Sequence, residues 1–227
     1  VGVADPAKPC VKQAHSFKKT IMKKVQCNYL LYLPADYEKE KNKQWPLVLF
    51  LHGIGERGND LAKLKVNGPP HMVDQGKQFP FILVAPQCPD TEWWENEIDI
   101  LFALLDDIEA KYRVDKNREY LTGLSMGGYG TWTMVAKQPT RFAAIAPICG
   151  GGQPETASLI KDVPMWVFHG DKDDSVPLKK SQDMVDAIKA AGGNLKFTIY
   201  PNAGHDVWTT TYSNDEFWAW LLDQRKK

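Results

Sequence analysis

Residues 121–130 read LTGLSMGGYG, and what surrounds this stretch decides the fold. One serine, Ser125, stands between Gly123 and Gly127, with Gly128 and Gly130 close behind. Glycine loses more backbone entropy on folding than any other residue, so such a cluster implies a steric demand. The segment before it, REYLTGLS (118–125), is an apolar run, and the segment after it has a helical pattern. A strand running through G-x-S-x-G into a helix predicts a nucleophile elbow, whose strained turn tolerates only small neighbours. The competing reading is a glycine-rich turn with an idle serine.

Working outward, further apolar runs stop at turn-forming residues. CNYLLYL (27–33) reads as a strand ended by Pro34, and the runs are PLVLFLHG (46–53), FILVAPQ (81–87), FAAIAPICGG (142–151), PMWVFHGD (164–171) and LKFTIYP (195–201). Continuous runs that do not alternate suit parallel strands buried on both faces. Between them, residues 97–112 place Ile98, Leu101, Leu105, Ile108 and Tyr112 on one helical stripe. Residues 178–191 carry Met184, Val185 and Ile188 similarly and end at Gly192-Gly193. Ser213-Asn214-Asp215-Glu216 predicts a capping box for a last helix ending in Arg225-Lys226-Lys227. Strands alternating with helices predict a doubly wound, mostly parallel α/β sheet. With no repeat or linker, residues 1–227 read as a single domain, with 1–26 a lead-in and first strand.

The 28 basic residues balance the 28 acidic ones, so no global field favours nucleic acid or an anionic membrane. The runs Lys18-Lys19 and Lys23-Lys24 read as solvated strand faces. No apolar run approaches the roughly 20 residues that span a bilayer, which predicts a soluble protein with no membrane partner. The chain starts at Val1, which reads as a processed or trimmed form. No signal peptide is visible, and a secreted or periplasmic location after its removal stays open. Cys10, Cys27, Cys88 and Cys149 lack C-x-x-C spacing, against a zinc site. A Cys10–Cys27 bridge and free buried thiols are equally good readings.

In doubly wound sheets function gathers at the carboxyl ends of the strands, where Ser125 falls. A serine hydroxyl needs a base to take its proton and a third group to orient that base. In elbow-bearing folds the chain order is serine, acid, histidine. Two histidines follow Ser125. His169 ends a buried strand and reads as structural, whereas His205 sits in the loop NAGHD, free to reach the serine. His205 is the predicted base. The loop HGDKDDSVP offers Asp171, Asp173 and Asp174, among which periodicity does not choose. An oxyanion hole needs backbone N–H groups aimed at the developing charge. Met126, after the nucleophile, is one predicted donor, and Ile54, in the glycine-bearing loop HGIGERG (52–58), is the other.

Together, HGIGERG, GLSMGGYG, HGDKDDSVP and AGHD resemble the α/β-hydrolase superfamily. The likeness is to serine esterases of the phospholipase/carboxylesterase and feruloyl-esterase-like group, some labelled predicted peptidases, and it spans roughly residues 27 to 222. The resemblance implies the α/β-hydrolase fold and selects Asp173, as the aspartate of a pattern H-G-x-x-D-x-x-V-P running from His169 to Pro177. It implies no cofactor and no metal.

Only GGQPETASLIKD (151–162) separates the strand after the elbow from the next, too short for a lid domain. An open cleft suits small or polymer-attached esters, with the stretch 55–80 as one wall. Trp93-Trp94 and Trp208 are candidate cleft aromatics, with Trp94 and Trp208 the expected substrate contacts and packing the other reading. Glu56-Arg57 reads as a structural ion pair, ahead of a contact to a carboxylate-bearing substrate. The leading expectation is a serine carboxylesterase acting through an acyl-enzyme on feruloyl, cinnamoyl or acetyl esters, free or carried on polysaccharide. The alternatives are a serine peptidase on the same triad and an idle carbohydrate-binding hydrolase fold.

Overall fold

The computed structural model describes residues 16–19 and 24–226. Seven strands form one sheet in the order β1-β3-β2-β4-β5-β6-β7. They are β1 (Asn28–Tyr32), β2 (Trp45–Leu51), β3 (Ile82–Gln87), β4 (Val114–Leu124), β5 (Ala144–Ile148), β6 (Trp166–Gly170) and β7 (Lys196–Tyr200). β1 runs antiparallel to β3, pairing Asn28 with Gln87, and the other pairings are parallel. The connections carry α1 (Gly68–Asp74), α2 (Ile98–Lys111), α3 (Met126–Lys137), α4 (Ala157–Ile160), α5 (Lys179–Ala190), α6 (Trp208–Ser213) and α7 (Asp215–Asp223). This is the architecture of the α/β-hydrolase fold.

β2 shows why its apolar run does not alternate. Leu47, Leu49 and Leu51 pack into a cluster with Leu101 and Leu105 of α2, Met134 of α3 and Ile188 of α5. Val48 and Phe50 pack into the opposite cluster with Tyr212 of α6 and Phe217 and Leu221 of α7. A strand covered by helices on both faces needs apolar residues at every position. β3 lies on one side of β2 and β4 on the other, so the connections leaving β2 and β4 diverge. The crevice at their carboxyl ends is where such sheets place a site.

Several boundaries differ from the sequence reading, each for a local reason. β4 starts at Val114, because its first half is polar and partly exposed and so lacks an apolar signature. α1 carries Pro69-Pro70 in its first turn, where a missing N–H costs no intrahelical bond. The cap of α7 is Asn214, whose side chain accepts from the Glu216 N–H, while Ser213 closes α6. α7 ends at Asp223, so the basic tail lies beyond it, with Lys226 Nζ 3.3 Å from Glu119 Oε1.

Residues 16–19 and 24–27 form neither helix nor strand, so Lys18-Lys19 and Lys24 do not sit on a strand face. The rest of the expected lead-in lies outside the described residues, as does Cys10 of the Cys10–Cys27 pairing. Between β5 and β6 the chain holds only a short turn at Pro154–Thr156 and the four-residue α4. Among the described residues, no helix is long and apolar enough to cross a membrane.

Candidate active site

Ser125 joins β4 to α3 with φ 53° and ψ −117°. A residue bearing Cβ rarely adopts a positive φ, so the surrounding structure must hold it there. The Ser125 N–H donates to the Ile148 carbonyl of β5 (2.9 Å), and the Ser125 carbonyl accepts from Gly128 (2.8 Å). The flanking glycines are required by contact. A Cβ on Gly127 would overlap the Leu51 carbonyl oxygen, and one on Gly123 would lie 2.6 Å from the Gly127 carbonyl carbon. The turn is therefore rigid and seated on the end of β2.

His205, in the loop after β7, brings Nε2 to 2.8 Å from Ser125 Oγ. Its Nδ1 lies 2.7 Å from Asp173 Oδ2, in the loop after β6. Of the three aspartates in that loop, Asp171 and Asp174 are exposed and only Asp173 turns inward. Its Oδ1 accepts from the N–H groups of Ser175 (3.0 Å) and Val176 (2.8 Å). Burial pushes the Asp173 carboxyl up, but the hydrogen bonds from His205, Val176 and Ser175 outweigh it and hold the group below the usual carboxylate range. An imidazole bridging a hydroxyl and an ionised carboxylate is what general-base activation of that hydroxyl requires.

His169 is fully buried, as expected of a structural residue. It also touches the acid, with Nε2 3.2 Å from Asp173 Oδ2. Cys149, His169 and Asp173 bring one ligand-type atom each within 4.8 Å of one another. The Cys149 thiol donates to the His205 carbonyl (3.3 Å), and burial pushes its pKa up.

The loop after β2 approaches the serine at Gly53, where an added Cβ would lie 3.7 Å from Ser125 Cβ. Ile54 opens a 3₁₀ turn at Ile54–Glu56 and Met126 opens α3, so the N–H groups of both lack intrahelical acceptors. His52 anchors this loop: its Nδ1 lies 2.6 Å from the Gly53 carbonyl, and its Nε2 accepts from the Cys88 N–H (3.0 Å). Burial pushes the His52 imidazole down to about 4, with Arg57 adding to the effect and the Gly53 contact opposing it.

Glu56 and Arg57 do not pair with each other, contrary to the sequence reading, because consecutive residues leaving the turn point apart. Glu56 is buried and accepts from Asn67 Nδ2. Arg57 Nη1 donates to the Glu92 carbonyl (3.0 Å), and its guanidinium lies 5.3 Å from the Trp93 ring.

Both expected substrate contacts are buried, Trp208 being 9% exposed. Trp94 is 1% exposed, stacked edge-on against His52 at 4.8 Å with its indole N–H on the His52 carbonyl. It packs under the cleft and has almost no surface to offer a ligand, whereas its neighbour Trp93 is 47% exposed. Trp208 stands at 90° to the His205 ring with centroids 5.0 Å apart. Its indole N–H donates to Asn67 Oδ1 (3.3 Å), which ties the 55–80 stretch to the histidine loop as a wall beside the triad. Asn67, a lone polar residue between Val66 and Gly68, gave no sequence signal of this role.

Residues 88–215 match the family model described as the dienelactone hydrolase family. The chain is 23% identical over 180 residues to a probable feruloyl esterase C of Aspergillus terreus, spanning 78% of this chain and 66% of that protein. It is 44% identical over 121 residues to poly(3-hydroxyalkanoate) depolymerase C of Paucimonas lemoignei, spanning 47% and 28%. Among solved structures it is similar to a thermostable esterase, with 35% identity, a TM-score of 0.76, and coverage of 88% of this chain and 60% of that one. The chain thus spans less than two thirds of the length of these relatives.

Proposed function

The chain belongs to the dienelactone hydrolase family, and from that membership and the triad geometry we propose that it is a serine carboxylesterase. The observation that carries the reading is the continuous relay from Ser125 Oγ through His205 to Asp173, at 2.8 and 2.7 Å.

In this reading Ser125 Oγ attacks the ester carbonyl while His205 Nε2 takes its proton. Asp173 holds the imidazole by Nδ1 and stabilises the positive charge that forms on it. The N–H groups of Met126 and Ile54 receive the developing oxyanion. His205 returns the proton to the leaving alcohol, leaving an acyl group on Ser125. Water, deprotonated by the same imidazole, then releases the acid.

The substrate class we propose is a feruloyl, cinnamoyl or acetyl ester, free or carried on polysaccharide. The short β5–β6 connection and the exposed Trp93 support it, because both leave room for a bulky alcohol side. The similarity to a protein named for feruloyl-ester cleavage points the same way.

The test is an ester panel run on the wild type and on Ser125→Ala. Methyl ferulate, acetylated xylan, hydroxyalkanoate oligomers and p-nitrophenyl acetate separate the acyl and alcohol preferences. Ser125→Ala should lose at least about 10³-fold on every substrate that the wild type cleaves. Residual activity near the wild-type level would overturn the nucleophile. A preference for hydroxyalkanoate oligomers over methyl ferulate and acetylated xylan would overturn the substrate class and leave the mechanism standing.

A further inference from the structure

Asp173 accepts three hydrogen bonds, and a fourth polar group, His169 Nε2, lies beside its Oδ2. Oδ1 takes the N–H groups of Ser175 and Val176, and Oδ2 takes His205 Nδ1 at 2.7 Å and faces His169 Nε2 at 3.2 Å. An ionised carboxylate has about four acceptor sites, so three are filled and one is left for the His169 side. We propose that His169 is a positioning residue of the triad, a neutral Nε2–H donor that fixes the Asp173 carboxylate for His205.

The proton assignment follows from the partners. His169 Nε2 faces two acceptors, Asp173 Oδ2 and the Val176 carbonyl at 2.8 Å. Neither brings a proton, so Nε2 carries one. On the other side, Nδ1 lies 2.8 Å from Ser181 Oγ, which lies 2.8 Å from the Gly150 carbonyl. The single hydroxyl proton of Ser181 serves one of these two acceptors, so a neutral Nε2–H ring requires it to turn from the Gly150 carbonyl to Nδ1. Burial pushes the His169 imidazole down, against the pull of Val176 and Asp173.

Neutrality is what makes the device useful. A cation at this position would oppose the positive charge that His205 acquires during the reaction. A neutral N–H restrains the carboxylate and leaves its charge facing His205. The chain Gly150–Ser181–His169–Asp173 also links the end of β5 and the first turn of α5 to the acid, so the Asp173 rotamer is set from both loops. The groups facing Asp173 are His205, His169, the Cys149 thiol and, farther off on α3, Tyr129.

The inference rests on the triad reading above, so its first test needs no turnover. Imidazole ¹⁵N spectra of the labelled wild type should give His169 the neutral Nε2–H pattern at about pH 8. The second test compares His169→Leu with His169→Gln, whose amide keeps a donor. His169→Leu should lose roughly ten- to a hundredfold in kcat with KM within about threefold, the loss expected for a hydrogen bond to a charged group. The acidic limb of its kcat/KM profile should move to higher pH, since a carboxylate with one donor fewer holds more charge opposite His205. His169→Gln should recover most of the activity.

An Nδ1–H tautomer would overturn the proposal. So would a folded His169→Leu with wild-type kcat, or a His169→Gln loss equal to that of His169→Leu. Should His169→Leu not fold, the tautomer and the glutamine variant decide. A wild type that cleaves no ester would sink the esterase reading, while the ¹⁵N pattern would still decide this one.

Discussion

A Cβ placed on Gly127 would overlap the Leu51 carbonyl oxygen and lie 2.5 Å from its carbonyl carbon, so α3 meets β2 backbone to backbone. No side-chain rotamer relieves such a contact; only a backbone shift does. The shift would act two residues away from Ser125, whose φ of 53° is held by the same packing. Gly127→Ala should therefore yield insoluble protein, or a folded protein with activity reduced at least about a hundredfold, because an ångström of misplacement at the reacting atom costs that much. Circular dichroism and ester turnover check it, and a fully active variant would show that the elbow is looser than these contacts imply.

The aspartates of the loop after β6 separate by burial. Asp173→Asn keeps the shape but turns a charged acceptor into a neutral amide, and activity should fall on the order of 10⁴-fold, the loss that goes with a misassigned imidazole tautomer. Asp171→Asn and Asp174→Asn, both exposed, should stay within about twofold. Comparable losses at either exposed position would mean that the acid has been misplaced.

The sequence carried the strand order of events well because the strands at the site are buried on both faces. β2 and the second half of β4 are buried almost throughout, Ser125 follows β4, and Asp173 and His205 follow β6 and the edge strand β7. What it carried poorly depends on side-chain direction. Three aspartates within four residues are indistinguishable by period, and only the fold turns Asp173 inward. Trp93 and Trp94 are adjacent, yet one is half exposed and the other sealed beneath His52. The contact of Asn67 with Trp208 spans 141 residues and follows from how α1 packs near α6, which no local pattern encodes.

That difference between the adjacent tryptophans gives a paired prediction. Trp94 stacks on His52, and its Cβ packs close against Gly130 of α3. Trp94→Ala should cost about 3–5 kcal/mol of stability, the range for emptying a buried aromatic site. Trp93→Ala should stay within about 0.5 kcal/mol of wild type, as a surface change. If Trp93 receives an aryl or sugar group, its loss should raise KM for methyl ferulate or acetylated xylan and spare p-nitrophenyl acetate. Urea titrations and the two KM values decide both halves, and a large stability loss at Trp93 would contradict its exposure.

His52 makes stability depend on pH, with a definite sign. Folded, its neutral ring donates from Nδ1 to the Gly53 carbonyl and accepts the Cys88 N–H at Nε2, joining the ends of β2 and β3. A proton on Nε2 would set two donors against each other, which agrees with a pKa pushed down to about 4, chiefly by burial. The unfolded chain binds that proton at about pH 6.5. Between these values the unfolded state holds more protons, so the contribution of His52 is complete above about pH 6.5 and is lost as pH falls toward about 4. His52→Gln should be less stable than wild type at pH 8, yet decline less steeply over that interval. Urea titrations at half-unit steps measure both slopes. Parallel curves for the two proteins would place the acid sensitivity of the fold elsewhere than at the loop beside Ser125.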